Sequence, residues 1–278
     1  MSKFMFGFIL PFADAVTAST LAPEMEAAGW DGLFLGEALW HHDAWVSLTA
    51  AAMVTKKLRL GTMLTPLPGF NPRKLASESA SLDHLSGGRV ILSLGIGATW
   101  MGYQAFPDEA TDRKTRTEML DEGIDILTGL YQAKPFDYDG KHYHIKLTAM
   151  ESRHYPPPSY QKPRIPIWTV GVWQREKSMR RVLRCDGLLP ARMNDKGQFI
   201  DLKPQDVSEM KAYVEANRSL TTPFDIVVEG KTVGMNAQQK VDTILPWFEA
   251  GATWWMEGPY GISKDEMIAH MKEGPVKL

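Results

Sequence analysis

Residues 58–97 constrain the fold more than any other stretch of this 278-residue chain. They begin with the apolar segment LRLGTMLTPL and end with a second apolar run, residues 90–96, which reads VILSLGI. Between the two runs, Asn71 is suited to cap a helix that opens with Pro72, and the Ser-Gly-Gly sequence at 86–88 ends it. Two apolar strands joined by one helix predict a parallel βαβ unit whose sheet is buried on both faces.

A regular alternation of strands and helices continues along the chain. Strands are predicted over residues 4–10, 32–37, 58–67, 90–96, 165–171, 188–191, 225–229 and 254–258. Helices are predicted over residues 17–28, 43–55, 73–85, 112–131, 174–184, 204–217, 236–249 and from Ser263 onward. Eight strands that alternate with eight helices are typical of a closed (β/α)8 barrel. The alternative, an open doubly wound sheet, rarely reaches that many regular units, so we predict the barrel.

The alternation is interrupted after the fourth predicted helix, over residues 131–164. The segment FDYDGKHYHI alternates around an Asp-Gly pair, which is a hairpin signal, and a Pro-rich stretch at 155–158 predicts an extended connector. This interruption is too long for a plain loop between a helix and a strand. We therefore predict a hairpin and Pro-rich excursion from a single barrel domain that spans residues 1–278.

Charge and composition narrow the class of protein. The net charge is -2, and basic and acidic residues are scattered, so we expect no nucleic-acid or membrane partner. No apolar run approaches the roughly 20 residues of a membrane span, and the apolar run near the N-terminus is too short for a signal peptide. A single cysteine, Cys185, excludes an internal disulfide and fits a reducing compartment. We expect a cytoplasmic protein that acts on small molecules.

In a barrel, the active site lies where the strands end. The residues predicted there are mostly aromatic residues and glycines, with few carboxylates, and include Pro11, Glu37, Trp40, His41, His42, Thr65, Gly95, Gly97, Trp100, Gly171, Trp173, Arg192, Glu257 and Tyr260. Flat apolar walls and close backbone approach suit a planar aromatic cofactor. The adjacent histidines lack the further ligands that a metal needs, because the other histidines lie elsewhere, so we predict no metal site.

The turn after the fifth predicted strand has the features of a phosphate site. Gly171 lets the backbone approach a ligand, and the first N–H groups of the next helix and the Arg175 guanidinium are suited to bind an anion. The other interpretation is that Arg175 is one more solvated charge on a basic helix, together with Lys177 and Arg180.

Several segments carry a family resemblance. They read GWDGLFLGE (29–37), KLRLGTMLTPLP (57–68), NPRKLASESASLDHLSGGRVILSLGIG (71–97), RTEMLDEGIDIL (116–127), FDYDGKHYHI (136–145) and QKPRIPIWTVG (161–171). With these segments, nearly the whole chain resembles the bacterial luciferase-like oxidoreductases, which depend on a flavin or a deazaflavin. The resemblance implies a TIM barrel, FMN or coenzyme F420 bound across its C-terminal mouth, a small organic substrate and a homodimer.

The resemblance also implies roles for individual residues. Met63 and Leu64, next to Thr65, match a bulge of the third strand that carries a non-prolyl cis peptide behind the cofactor ring. Gly95 and Gly97 match the cofactor wall on the fourth strand. The phosphate-binding region corresponds to Gly171, Val172, Trp173, Gln174 and Arg175.

The acid/base positions depart from the family pattern. Ala38 stands where many members carry a histidine, and Ala98, Thr99 and Trp100 occupy a loop where many F420-dependent alcohol oxidisers carry a glutamate. The candidates for acid/base catalysis are therefore Glu37, His41 and His42. Alternatively, the reaction needs no strong base, as in hydride transfer to an activated alkene or oxygen insertion through a flavin peroxide.

These observations predict an oxidoreductase or monooxygenase that uses reduced FMN or coenzyme F420. Two alternatives stay open. The first is a family member that binds a flavin without catalysis, since both usual acid/base positions are non-ionisable. The second is a metal-dependent barrel hydrolase, whose activity chelators would abolish.

Overall fold

A parallel β-sheet with helices on its outer side is the framework of the molecule. The computed structural model describes residues 4–11, 13–106, 112–155 and 157–278. The strands are β1 (Met5–Leu10), β2 (Gly32–Leu35), β3 (Arg59–Thr62), β4 (Val90–Gly95), β5 (Ile167–Val172), β6 (Gly187–Met193), β7 (Asp225–Gly230) and β8 (Trp254–Glu257). The helices are α1 (Ala15–Ala28), α2 (Ala44–Val54), α3 (Pro72–Ser86), α4 (Arg113–Leu130), α5 (Glu176–Val182), α6 (Pro204–Asn217), α7 (Ala237–Glu249) and α8 (Lys264–Glu273). Among these helices, none is both long and apolar enough to cross a membrane.

The sheet closes on itself. Each strand pairs in parallel with the next, from β1 and β2 through β5 and β6 to β7 and β8. β8 then pairs in parallel with β1, with Met5 opposite Trp254 and Gly7 opposite Met256. The predicted (β/α)8 barrel is therefore confirmed, and the C-terminal ends of all eight strands lie at one mouth.

Strands β3 and β6 depart from their predicted bounds for local reasons. β3 ends at Thr62, because the chain leaves the ladder there and pairs with β4 again only at Thr65–Pro66. β6 runs on to Met193, because its last residues pair antiparallel with Phe199–Ile200.

Helix α5 is shorter than the predicted span of 174–184. Gln174 has a φ of 62°, in the left-handed region, so the helix starts after it. At the other end, the Cys185 N–H donates to the Val182 carbonyl at 3.0 Å, and the Asp186 N–H donates to Ile167 on β5 at 2.7 Å. The chain therefore leaves the helix and joins the sheet earlier than the run of basic residues predicts.

The excursion contains the predicted hairpin. Asp137–Asp139 pairs antiparallel with His144–Lys146. Glu122 on α4 holds the turn, since its carboxylate accepts the backbone N–H groups of Lys141, His142 and Tyr143 at 2.9 to 3.1 Å. Pro156, in the predicted Pro-rich connector, lies outside the described residues.

A second apolar core fills the inside of the barrel, separate from the layer between strands and helices. It consists of Ile9, Phe34, Ile91, Trp168, Leu189, Val227, Trp254 and Met256. Phe34 stacks on Trp168 with ring centroids 5.4 Å apart, and Trp254 packs against both at steep angles. A Cβ on Gly187 would lie 2.1 Å from Trp168 Cδ1, so this glycine makes room for the indole. These rings close the N-terminal part of the barrel.

Candidate active site

The floor of the barrel mouth is apolar. Met63, Leu64 and Val170 are half-buried and pack on the interior core from the C-terminal side. Ser93, two residues after the interior-facing Ile91, has a buried hydroxyl without a hydrogen-bond partner in the described part of the chain. An apolar surface with one unsatisfied hydroxyl near it is suited to an aromatic ring that has a polar edge.

The predicted bulge of the third strand is present. The Met63–Leu64 peptide bond is cis, as the resemblance implied. Gly95 lies beneath it, because a Cβ on Gly95 would stand 2.7 Å from Leu64 Cδ1. The space left by this glycine is therefore occupied by the Leu64 side chain, and the two residues form one surface.

Glu37 supports the bulge from the β2 side. Its carboxylate accepts the hydroxyl proton of Thr65, and the hydroxyl groups of Thr65 and Thr62 are hydrogen-bonded at 2.8 Å. These two threonines bracket the bulge, so the chain of hydrogen bonds ties both of its ends to β2. Glu37 is only 4% exposed, which separates its carboxyl from solvent.

Burial raises the pKa of Glu37 to about 8. The hydrogen bond from Thr65 and the nearby indole N–H of Trp45 oppose this rise, whereas the negative charges of Asp43 and Glu78 add to it. The Trp45 N–H is not itself in hydrogen-bonding geometry with any group in the described residues. Near neutral pH the carboxyl therefore holds a proton, as a buried acid without a cationic partner does.

The other predicted glycine of the cofactor wall, Gly97, shapes the loop after β4. It has a φ of 69°, and a Cβ there would lie 2.6 Å from Pro66 Cβ and 2.9 Å from Tyr103 Cε2. Arg116 on α4 donates to the Gly97 carbonyl at 2.8 Å, and its guanidinium lies 4.7 Å from the centre of the Tyr103 ring. This buried arginine fixes the loop at the edge of the mouth.

The turn after β5 differs in part from the prediction. A Cβ on Gly171 would lie 2.3 Å from Leu188 Cδ1 and 2.8 Å from Val182 Cγ2, so the missing side chain serves packing against α5 and β6. Val172 is buried, whereas Gln174 and Arg175 are exposed. The space opened by the missing Gly171 side chain is therefore filled by the protein itself, and the role of Gly171 at a phosphate stays a prediction.

Arg175 lies between β5 and the end of β6. Its guanidinium donates to the Asn194 carbonyl at 3.1 Å, while the neighbouring Trp173 donates its indole N–H to Glu209 at 3.0 Å. The first turn of α5 also carries the negative charge of Glu176. Arg175 is thus the positive group that this turn offers to an anion.

His41 and His42 differ from Glu37 in their exposure to solvent. Both are exposed on the loop between β2 and α2, with ring centroids 5.3 Å apart. His42 lines a surface groove between the N-termini of α1 and α2, together with Asp14 and Asp43. Within the described ranges, no three His, Cys, Asp or Glu side chains converge as they would around a metal ion.

Sequence reasoning missed a carboxyl group at the mouth. Glu229 follows the interior-facing Val227 by two positions on β7 and lies opposite Met256 in the register, so it faces the barrel axis. Tyr260, which was expected at this rim, lies beside it. By contrast, Glu257 is buried on the outer side, where it accepts the Thr232 N–H at 2.6 Å and lies 3.2 Å from His270 Nε2.

These residues fit a phosphorylated flavin or deazaflavin. Met63, Leu64 and Val170 offer an apolar surface, and the unsatisfied Ser93 hydroxyl is a partner for the polar edge of a ring. Arg175 stands where the β5 and β6 turns meet and carries a positive charge, which is compatible with a phosphate there.

Comparison with known proteins supports the same fold. A family model described as luciferase-like monooxygenase matches residues 12–253. An uncharacterized protein of Mycobacterium tuberculosis is 28% identical over 237 residues, which is 85% of this chain and 76% of that protein.

Two solved structures share the architecture. The coenzyme F420-dependent tetrahydromethanopterin reductase from Methanopyrus kandleri superposes with a TM-score of 0.72 at 18% identity, covering 99% of both chains. The oxygenating constituent of 3,6-diketocamphane monooxygenase from Pseudomonas putida, solved with FMN, gives a TM-score of 0.64 at 18% identity, covering 87% of this chain and 71% of that chain. At these identities the likeness establishes the fold.

Proposed function

This chain belongs to the luciferase-like monooxygenase family, and we propose that it binds reduced FMN or coenzyme F420 at the barrel mouth and oxidises, reduces or oxygenates a small organic substrate. The observation that supports this most is the apolar floor of Met63, Leu64 and Val170 beside the unsatisfied Ser93 hydroxyl. The family includes both F420- and FMN-dependent enzymes, and the choice between these cofactors is part of the test below.

In this proposal, the protein holds the cofactor and the substrate in position and keeps water away from them. A reduced flavin or deazaflavin supplies a hydride when bound, and a reduced flavin also activates oxygen. Leu64, seated on Gly95, presents one apolar surface to the ring. Glu37 and Thr65 hold that surface in place from behind the bulge, and Arg175 is placed to bind the phosphate end. In this proposal Glu37 positions the bulge, because its burial separates it from a substrate in the mouth.

Titration with each cofactor tests the proposal. The purified chain is titrated with FMN and, separately, with coenzyme F420, and binding is followed by cofactor fluorescence and absorption. A Leu64→Asp variant, which places a charge on the floor, should bind at least about tenfold more weakly, because burying an unpaired charge costs more than 1.4 kcal/mol, or one factor of ten. Leu220→Asp, a change at an exposed apolar residue remote from the mouth, is the matched control.

Turnover then separates the candidate activities. Substrate conversion that needs oxygen with FMN would identify a monooxygenase, whereas conversion without oxygen would identify a hydride-transferring oxidoreductase. Binding without conversion of any compound in a broad panel would favour the non-catalytic flavin-binding alternative. If neither cofactor binds, or if Leu64→Asp binds as well as the native chain, the proposed site is wrong.

A further inference from the structure

Glu229 presents its carboxyl to the barrel mouth from the end of β7. The alternation along β7 places Val227 in the interior core and Val228 in the outer layer, and Glu229 returns to the inner side. Its neighbour across the ladder, Met256, belongs to the same interior core. The residue is nevertheless exposed, so a molecule in the mouth can reach its carboxyl.

Tyr260 converges on the same point. A Cβ on Gly258 would lie 2.9 Å from Glu229 Oε1 and 2.8 Å from Tyr260 Cε2, so both side chains fold over this glycine. The Tyr260 ring therefore lies beside the Glu229 carboxyl, and the loop is held by Lys231, whose ammonium group donates to the Tyr260 carbonyl at 2.8 Å. Desolvation by the surrounding protein raises the pKa of Glu229 and of Tyr260.

The outer rim of the mouth is apolar. Trp40 follows β2 and is 82% exposed, Trp100 follows β4 and is 72% exposed, and Phe199 pairs with the end of β6 and is 69% exposed. Tyr260, which follows β8, is 46% exposed. Large exposed aromatic side chains on several loops at one end of a barrel are typical of a surface that receives an apolar molecule.

We propose that Glu229 and Tyr260 form the polar recognition site for the substrate, which is an apolar, ring-containing molecule with a hydroxyl or carbonyl oxygen. The carboxyl and the phenol together offer both a donor and an acceptor to that oxygen, and the aromatic rim contacts the apolar part. The inference rests on the proposed function, since it places the substrate above the same floor.

The expected selectivity follows from the cost of an unpaired polar group. A ligand that fills the mouth but lacks the oxygen displaces water from Glu229 and Tyr260 without replacing its hydrogen bonds. A site built to hydrogen-bond a hydroxyl rejects the analogue without it for this reason. The discrimination therefore depends on these two side chains and not on the apolar rim.

A matched pair of probes tests this inference. 2-Naphthol and naphthalene share one ring system and differ by a single hydroxyl. Their binding to the full chain is measured by equilibrium dialysis, with the cofactor that the titrations identify and without any cofactor. We expect the native chain to bind 2-naphthol about tenfold or more tightly than naphthalene, as one hydrogen bond to a charged group provides.

The variants assign the preference to the two residues. Glu229→Leu should reduce the preference to about twofold or less, and Tyr260→Phe should reduce it by about threefold, in part because naphthalene no longer leaves the removed polar group unpaired and binds the variants more tightly. Glu249→Gln, an exposed change on α7 at the opposite end of the barrel, should keep the full preference. Tyr260→Phe removes one oxygen from an exposed side chain, so it keeps the test decisive if Glu229→Leu does not fold.

Equal binding of both probes to the native chain would overturn the inference, and so would a full preference in Tyr260→Phe and in folded Glu229→Leu. Failure of the proposed function is a separate outcome. In that case neither FMN nor coenzyme F420 binds, while the probe preference and its loss in the variants are still measured on the chain without cofactor.

Discussion

Leu64 can lie on β4 only because residue 95 is glycine: a Cβ on Gly95 would stand 2.7 Å from Leu64 Cδ1 and 3.0 Å from Leu64 Cδ2. The height of the apolar floor is therefore set by a contact between the Met63–Leu64 bulge and β4. This contact can be changed without touching any polar group of the site.

Gly95→Ala should destabilise the protein by about 1–3 kcal/mol, because an added methyl group in a packed region forces its neighbours to shift. It should also weaken cofactor binding, since Leu64 has to move toward the mouth. Urea unfolding and cofactor titration measure the two effects. The double variant Gly95→Ala with Leu64→Ala should lose less stability than the sum of the single changes. Additive losses would show that the two residues do not interact as described.

The buried Glu37 carboxyl makes stability depend on pH. Its pKa is raised from 4.5 to about 8, mainly by burial, so between these values the folded protein binds more protons than the unfolded chain. Stability contributed by the protonated group is therefore lost as pH rises through this interval and levels off above it. At about 1.4 kcal/mol per pKa unit, the loss is on the order of 3–5 kcal/mol.

Glu37→Gln isolates this contribution, because an amide of the same shape does not ionise. The free energy of unfolding of the native chain minus that of Glu37→Gln should fall between pH 4.5 and 8. Urea unfolding across this range measures it. A difference that stays constant with pH would mean that Glu37 is ionised in the folded state at neutral pH.

Arg175 should distinguish a phosphorylated from an unphosphorylated flavin. Its guanidinium has one contact with a backbone carbonyl, that of Asn194, and no carboxylate within ion-pair distance in the described chain. A charge-assisted hydrogen bond to a phosphate contributes roughly 1.5–3 kcal/mol, so Arg175→Ala should weaken FMN binding by about ten- to a hundredfold. Riboflavin, which lacks the phosphate, should lose little affinity. Lys177→Ala, at an exposed position on α5, is the control; equal losses for FMN and riboflavin would exclude Arg175 as the phosphate ligand.

We also propose that the chain forms a homodimer through α2. This helix contains no charged residue, and Val46, Met53 and Val54 are 60%, 67% and 48% exposed on its outer side. Met53→Asp should therefore shift the protein to monomer in sedimentation velocity at micromolar concentration, while Leu220→Asp leaves it dimeric. A native chain that sediments as a monomer would contradict the proposal.

The strand and helix pattern predicts the barrel well because buried parallel strands are apolar throughout and their connections are short. Because buried strands are apolar on both faces, however, the pattern does not show which of their residues face the active site. The β7 sequence DIVVE does not indicate which residues face the barrel axis, since both faces of a parallel strand are buried. From the sequence, Glu229 is therefore only the last residue of a strand, with no sign that it faces the mouth. Its partner Tyr260 comes from the loop after the next strand, and only the register brings the two together.

Gly171 and Gly95 show a second limit. A glycine at a strand end predicts that another group approaches the backbone closely, but it does not indicate whether that group is a ligand or a side chain of the protein. At both positions the neighbour is a side chain of the protein itself, Leu188 in one case and Leu64 in the other. The bulge at Met63–Leu64, in contrast, was predicted by family resemblance, because its residues have no distinctive pattern of their own.

Within the described residues, the stacked rings of Phe34 and Trp168, with Trp254 against them, close the N-terminal end of the barrel and leave its C-terminal mouth as the route of entry. If a cofactor lies on the floor as proposed, a substrate that enters after it would cover it. The product would then have to leave through the mouth before the cofactor could be exchanged.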